Sequence, residues 1–210
     1  MSHHEITSLS ELREVVGPAS RRVYDKASAK LRDVDRRWLE HSPLCLLATS
    51  AADGTCDVSP RGDPPGFAHV LDDSTLAIPD RPGNRRVDSW RNVLDNPRVG
   101  LVFLVPGRPD TLRINGRARL IREAPFFDRM VVRGNRPRLA LLVEVEEVYF
   151  HCGKSFMRAG LWDPATWAPD AVPSRAEITH RTEWTDLSLD QLERRYGPEY
   201  EQHLYPTPDD

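Results

Sequence analysis

Apolar positions along this chain fall into two regimes, first at helical and then at strand spacing. In residues 8–40 they recur every three or four. Ser8 and Glu11 have capping-box spacing ahead of a short stripe of Leu12, Val15 and Val16, which Gly17–Pro18 breaks. A second helical stretch carries Val23, Leu31, Val34, Trp38 and Leu39 as buried positions and ends before Ser42–Pro43. From residue 44 the period shortens. LCLLATS (44–50) reads as an apolar strand, Asp53–Gly54 as a hairpin turn and TCDVSP as the returning strand. After RGDPPG, the segments FAHVL and TLAIP are two more strands around the turn LDDS. Closely spaced strands with turns between them predict an antiparallel barrel or sandwich.

Residues 84–96 return to helical spacing, with Val87, Trp90, Val93 and Leu94 as the stripe and Asn96–Pro97 as the stop. RVGLVFLVPG (98–107) is apolar on both faces and predicts a central strand. TLRINGRARLIR alternates, setting Leu112, Ile114, Ala118 and Leu120 against Arg113, Asn115, Arg117 and Arg119. APFFDRMVV predicts a short helix, LALLVEVEEVYFHC the last long strand, and GKSFMRAGLW one or two helical turns. Residues 163–186 are proline-rich and weakly patterned. SLDQLERRYGPEYEQHLY closes as a helix, with Ser188 and Gln191 at capping-box spacing. The division is a helical extension over 1–40, a β domain over 41–162 and an arm with a helix over 163–210.

Charge narrows the partners. The net charge of −3 argues against a general nucleic-acid binder. No run of 18 apolar residues occurs, so no spanning helix is expected, and the start has no secretory pattern, which points to a cytoplasmic protein. Cys45, Cys56 and Cys152 are odd in number and lack a C-x-x-C pair, so neither a disulfide scaffold nor a zinc site is expected. Cys45 reads as core. His151 and Cys152, neighbours on a strand, point to opposite faces. No G-x-S-x-G, P-loop or G-x-G-x-x-G occurs.

Of 29 cationic residues only Lys26, Lys30 and Lys154 are lysine. Arginine is the better phosphate clamp, so the placement of the rest matters. IPDRPGNRRVDSWRN (78–92) is the densest polar cluster. A strand ends at Pro79, Gly83 permits a turn, and Asn84 can cap a helix whose N-terminus would face Arg81, Arg85 and Arg86, with Asp80 and Asp88 orienting them. Read locally, this is equally a solvated charged helix start. The line Arg113, Asn115, Arg117 is likewise compatible with a plain exposed strand face.

The stretch from Leu44 to Trp162 resembles the pyridoxamine 5′-phosphate oxidase-like flavoproteins. The likeness rests on LCLLATSAADGTCDVSPRGDPPGF, on TLAIPDRPGNRR followed by NPRVGLVFLVPG, on TLRINGRARL, and on VEVEEVYFHCGKSFMRAGLWDP. It implies a mainly β protein with flanking helices: a six-stranded antiparallel split β-barrel that homodimerises and binds FMN at the interface. It assigns Arg81, Asn84, Arg85 and Arg86 to the phosphate and ribityl end of FMN. Ser59, Pro60, Arg61 and Gly62, with Ile78, Pro79 and Asp80, would line the ring system. Arg113 and Asn115 would reach a flavin edge, and Lys154, Arg158 and Trp162 resemble late cofactor-side positions, although Lys154 and Arg158 also fit an exposed helix face. The C-terminus has nothing like the Arg-Leu-His substrate stretch of the vitamin enzymes, so pyridoxamine phosphate is not the expected substrate. The resemblance implies a two-electron FMN oxidoreductase acting on a small molecule. The alternatives are a flavin or haem binder on the same barrel, with His151, His180 or His203 as ligand, and a deazaflavin-dependent reductase.

Overall fold

The computed structural model describes residues 3–205, apart from the side chain of His203. Three helices open the chain: α1 (Leu9–Val16), α2 (Arg21–Asp25) and α3 (Asp33–His41). Seven strands follow, β1 (Leu44–Ser50), β2 (Cys56–Gly62), β3 (His69–Val70), β4 (Thr75–Pro79), β5 (Arg98–Leu104), β6 (Thr111–Ile121) and β7 (Ala140–His151), with α4 (Asp88–Asp95) between β4 and β5. Helices α5 (Lys154–Ala159), α6 (Arg175–Thr182) and α7 (Leu189–Arg195) complete the chain.

All seven strands form one antiparallel sheet in the order β2-β1-β5-β6-β7-β4-β3. The expected six-stranded barrel is therefore corrected to a seven-stranded, unclosed sheet. The extra strand is the two-residue β3, cut short where Leu71 N–H turns back to the Thr75 carbonyl. At the other end β2 is an edge strand and carries Pro60, which has no N–H to donate.

Alternation decides which faces are buried. In β1, Cys45, Leu47 and Thr49 point inward while Leu44, Leu46 and Ala48 point outward. The main core joins Leu47, Leu101, Phe103, Leu112, Ile114 and Val143 to Trp38 and Leu39 of α3 and to Trp90 and Val93 of α4. Burial pushes the Cys45 thiol up to about 12, overriding the opposing effect of Arg61, so Cys45 is inert core. β4 is buried on both faces: Leu76 and Ile78 enter the main core, and Ala77 packs with Phe127, Met130 and Ala140 in a second one.

Several expectations change. The helix predicted up to Ser42 is interrupted, because Ser28 forms a β-bridge with Val148 and releases the chain from helical geometry until α3. At the start of α3 the Asp35 carboxylate accepts from the Arg32 backbone N–H at 2.8 Å and from its guanidinium at 2.7 and 3.0 Å. Leu31, Trp38 and Leu39 are buried as expected, but Leu12, Val15, Val16, Val23 and Val34 are exposed. The helix expected from Asn84 begins only at Asp88, since Arg85 and Val87 adopt left-handed backbone conformations at φ 59° and 56°. Finally, the arm expected to be irregular contains α6, whose Ser174–Glu177 capping box was legible in the sequence. The Ser188–Gln191 box caps α7 as expected, but α7 stops at Arg195 and a 3-10 turn follows from Pro198. Among the described residues no helix is long and apolar enough to cross a membrane.

Candidate functional site

A polar cluster forms where β2, the start of α4 and the end of β4 meet. Alternation along β2 sets Asp57, Ser59 and Arg61 on one face. Ser89, in the first turn of α4, donates to Asp57 at 2.6 Å, and its oxygen lies 2.9 Å from Ser59 Oγ. Because the Ser89 proton goes to Asp57, Ser59 is the donor between the two hydroxyls. Arg61 Nη2 reaches both, at 3.2 and 3.1 Å, and the guanidinium lies over the Trp90 ring at 4.2 Å. Arg61 Nε is buried without a hydrogen-bond partner. Nε and Nη2 share one edge of the guanidinium, so the fork that normally grips an oxyanion is half used. Burial lowers the Arg61 pKa from its ordinary value, and Asp80, at 3.5 Å, opposes that shift. Burial likewise raises the Asp80 carboxyl, with Arg61 pulling it back.

Beside this cluster runs the arginine turn. Arg85 is exposed and makes no hydrogen bond or ion pair among the described residues. Arg86 pairs with Asp88, and its guanidinium also feels Asp57. Asn84 is not the helix cap. Its Oδ1 accepts the Arg86 N–H at 3.0 Å, forming a local turn. Val87 occupies the cap position and offers no side-chain hydrogen bond, leaving the first-turn amides of α4 free of a capping side chain. A β-branched residue at positive φ costs about 1–3 kcal/mol, and strain of this kind concentrates at binding turns.

Arg81 faces elsewhere. It donates to Asp63 at 2.5 Å, to the Met130 carbonyl at 2.6 Å and to the Asn135 carbonyl at 3.2 Å. Its guanidinium is thus engaged by protein groups. His69, half-buried nearby, has its pKa lowered first by burial and then by Arg129 and Arg81.

The remaining sequence candidates lie apart. On β6, Arg113 lies over the Tyr149 ring at 5.4 Å and Asn115 donates to Glu147 at 2.6 Å. Lys154 and Arg158 are exposed on α5. Trp162 donates to the Arg108 carbonyl at 2.8 Å and stacks with Phe156, walling an open groove of about 350 Å³. Among the described residues no hydrogen bond, ion pair or aromatic contact joins these five to Ser59, Arg61, Asp80 and the arginine turn. Of the histidines, His151 is exposed at the end of β7, and His180 Nδ1 is 2.9 Å from the Leu187 carbonyl. His203 lies outside the described side chains. Sequence reasoning missed Asp57, Ser89 and Asp63. The alternation Asp57-x-Ser59-x-Arg61 was a usable signal for the first.

The residues present fit a phosphate ester: among the described residues Arg85 has no hydrogen bond or ion pair, Arg86 pairs with a neighbouring carboxylate, and the first-turn amides of α4 have no capping side chain. The chain belongs to the pyridoxamine 5′-phosphate oxidase family, whose pattern matches residues 31–152, more than half of its length. No curated protein sequence matches it significantly. Solved structures similar to it include a putative pyridoxamine 5′-phosphate oxidase from Lactobacillus delbrueckii, 22% identical over 58% of this chain and 95% of that one, with a TM-score of 0.46. An F420 reductase is 20% identical over 55% and 94%, TM-score 0.39. The heme storage protein HutZ from Vibrio cholerae is 15% identical over 59% and 94%, TM-score 0.41. At such distances these likenesses carry no argument about ligand.

Proposed function

We propose that this chain is an FMN-dependent oxidoreductase acting on a small molecule, and that it works as a homodimer. The strained, cationic turn at 82–87, beside the half-used Arg61 fork, is the observation that carries the reading. FMN, when bound, supplies the hydride and electron chemistry. Arg85, Arg86 and the first amides of α4 hold its phosphate, with Asn84 fixing the turn. Ser59–Gly62 and Ile78–Asp80 line the ring system largely through backbone groups, with Arg61 the donor that favours negative charge on it. No side chain is assigned as acid or base. Membership of a family described as an oxidase supports the choice of class.

The dimer is supported by an uncovered sheet face. Pro60, Leu46, Val102, Arg113 and Tyr149 form one row across four strand pairings, and Val58, Ala48, Gly100, Asn115 and Glu147 form the next. Val58 is 63% and Leu46 38% exposed. A face that is apolar on β2, β1 and β5 and polar on β6 and β7 suits a second copy, which would bring Arg113, Asn115, Lys154, Arg158 and Trp162 to the other half of the site. Leu46→Asp will convert a particle of twice the chain mass into monomers by sedimentation. A variant that stays at twice the chain mass counts against this face.

Absorbance tests the cofactor. Bands at about 375 and 450 nm, the order expected of an oxidised flavin, support FMN. A Soret band, or a colourless protein that FMN cannot reconstitute, overturns it in favour of haem or deazaflavin. Bleaching by NADH or NADPH with recovery in air separates turnover from storage.

A further inference from the structure

The segment after residue 152 lies outside the family match, yet its last described residue reaches the centre of the arginine network. The Tyr205 hydroxyl donates to Asp63 Oδ1, while Asp63 Oδ2 accepts from Arg81. The Tyr205 ring lies 5.9 Å from the Arg81 guanidinium and 5.3 Å from that of Arg133. The Asp63 side chain is 1% and that of Arg81 14% exposed. A carboxylate so buried needs its lone pairs filled, and here one oxygen is filled from β4's end and the other from the C-terminal segment. Arg81 also clamps the carbonyls of Met130 and Asn135, so four separate chain segments meet at one ion pair. Arg81 directly precedes Pro82–Val87. Burial and the Asp63 carboxylate both hold the Tyr205 phenol above its ordinary pKa, so it remains a donor throughout the neutral range.

We propose that Tyr205 is a positioning residue: it fastens the C-terminal segment to the Asp63–Arg81 pair and thereby fixes the 82–87 turn from behind, with Arg81 acting as the anchor of that turn and not as a phosphate ligand. The link to FMN rests on the proposed function above; the clasp itself does not. It makes the C-terminal arm part of the support of the binding turn.

Hydrogen exchange read by mass spectrometry on the FMN-free full chain, wild type against Tyr205→Phe, tests it. The substitution keeps the ring and removes only the hydroxyl. Exchange in 198–205 and in 82–87 should rise together by about tenfold, the scale of losing one hydrogen bond to a charged acceptor, while β5 and β6 stay unchanged. Affinity for added FMN should fall several-fold in the same variant. Faster exchange in the tail with an unchanged 82–87 turn overturns the coupling, and unchanged exchange in both overturns the clasp. If the two segments loosen together while the wild type binds no FMN, the clasp stands and the cofactor assignment fails. A circular-dichroism melt within a few degrees of wild type establishes that the variant is folded. Asp63→Asn, which keeps an acceptor but removes the charge, should give the same coupled loosening, and its absence also counts against the clasp.

Discussion

Replacing Arg85 and Arg86 together by alanine will lower FMN affinity by about a hundredfold or more. A hydrogen bond to a charged group contributes about 1.5–3 kcal/mol, and the double variant removes the two cationic donors proposed to face the phosphate dianion. Neither residue holds the fold. Arg85 makes no hydrogen bond or ion pair among the described residues, and the Arg86–Asp88 pair is local and exposed on its arginine side. Such surface pairs contribute little to stability, so the melting temperature should stay within a few degrees of wild type. The measurement is a titration of the FMN-free protein followed by quenching of FMN fluorescence. Arg98→Ala, which removes an exposed partner of Glu146 on β5, is the control and should bind as wild type. An unchanged affinity in the double variant would refute the phosphate assignment.

Gly116→Ala will produce the largest loss of stability. Gly116 is buried at a bulge in the β6–β7 pairing, where the register steps from Asn115↔Glu147 to Gly116↔Val145 and leaves Glu146 as the extra residue. A Cβ there would stand 2.0 Å from the Glu144 carbonyl oxygen and 3.0 Å from its carbon. These are backbone atoms of a central strand, so no side-chain rotation relieves the overlap. The ladder must open or the bulge must migrate. Either is expected to cost about 4–5 kcal/mol, a large part of the about 5–15 kcal/mol that holds a domain of this kind. The bulge also shifts the parity of β7, so that Tyr149 and Glu147 come level with Arg113 and Asn115. A urea melt should show a much lower midpoint, whereas Gly54→Ala, at an open turn with φ +90°, should cost about 1 kcal/mol. A Gly116→Ala midpoint equal to wild type would show that the bulge accommodates a side chain.

The strands were legible because alternation is a local signal. The positions expected to be buried on β6 are Leu112, Ile114, Ala118 and Leu120, and all but the half-buried Leu120 are fully so. What pattern could not supply was competition from distant groups. Nothing within residues 19–41 says that Ser28 will pair with Val148, and that pairing ended a helix whose periodicity was sound. Helical spacing in 84–87 was equally misleading, since spacing does not register that Arg85 and Val87 take positive φ. At the candidate site, the arginine cluster was visible as composition, but the division of labour within it was not. Arg81 is committed to Asp63 and two carbonyls, one of them 54 residues away, and only the folded chain reveals that Arg85 has no hydrogen bond or ion pair among the described residues. Tyr205 contacts Asp63 across 142 residues, and no motif announces a contact of that range.

Pro60 carries a consequence for how copies of this chain can meet. Strand edges are templates: a copy that joins by its edge exposes a fresh edge, and growth has no natural end. The edge formed by β2 is interrupted by an imide nitrogen in mid-strand, and the opposite edge, β3, is only two residues long. Polymerisation along the sheet is obstructed at both ends. Contact through the broad apolar face has no such continuation, because two copies related by a twofold axis consume each other's face and stop.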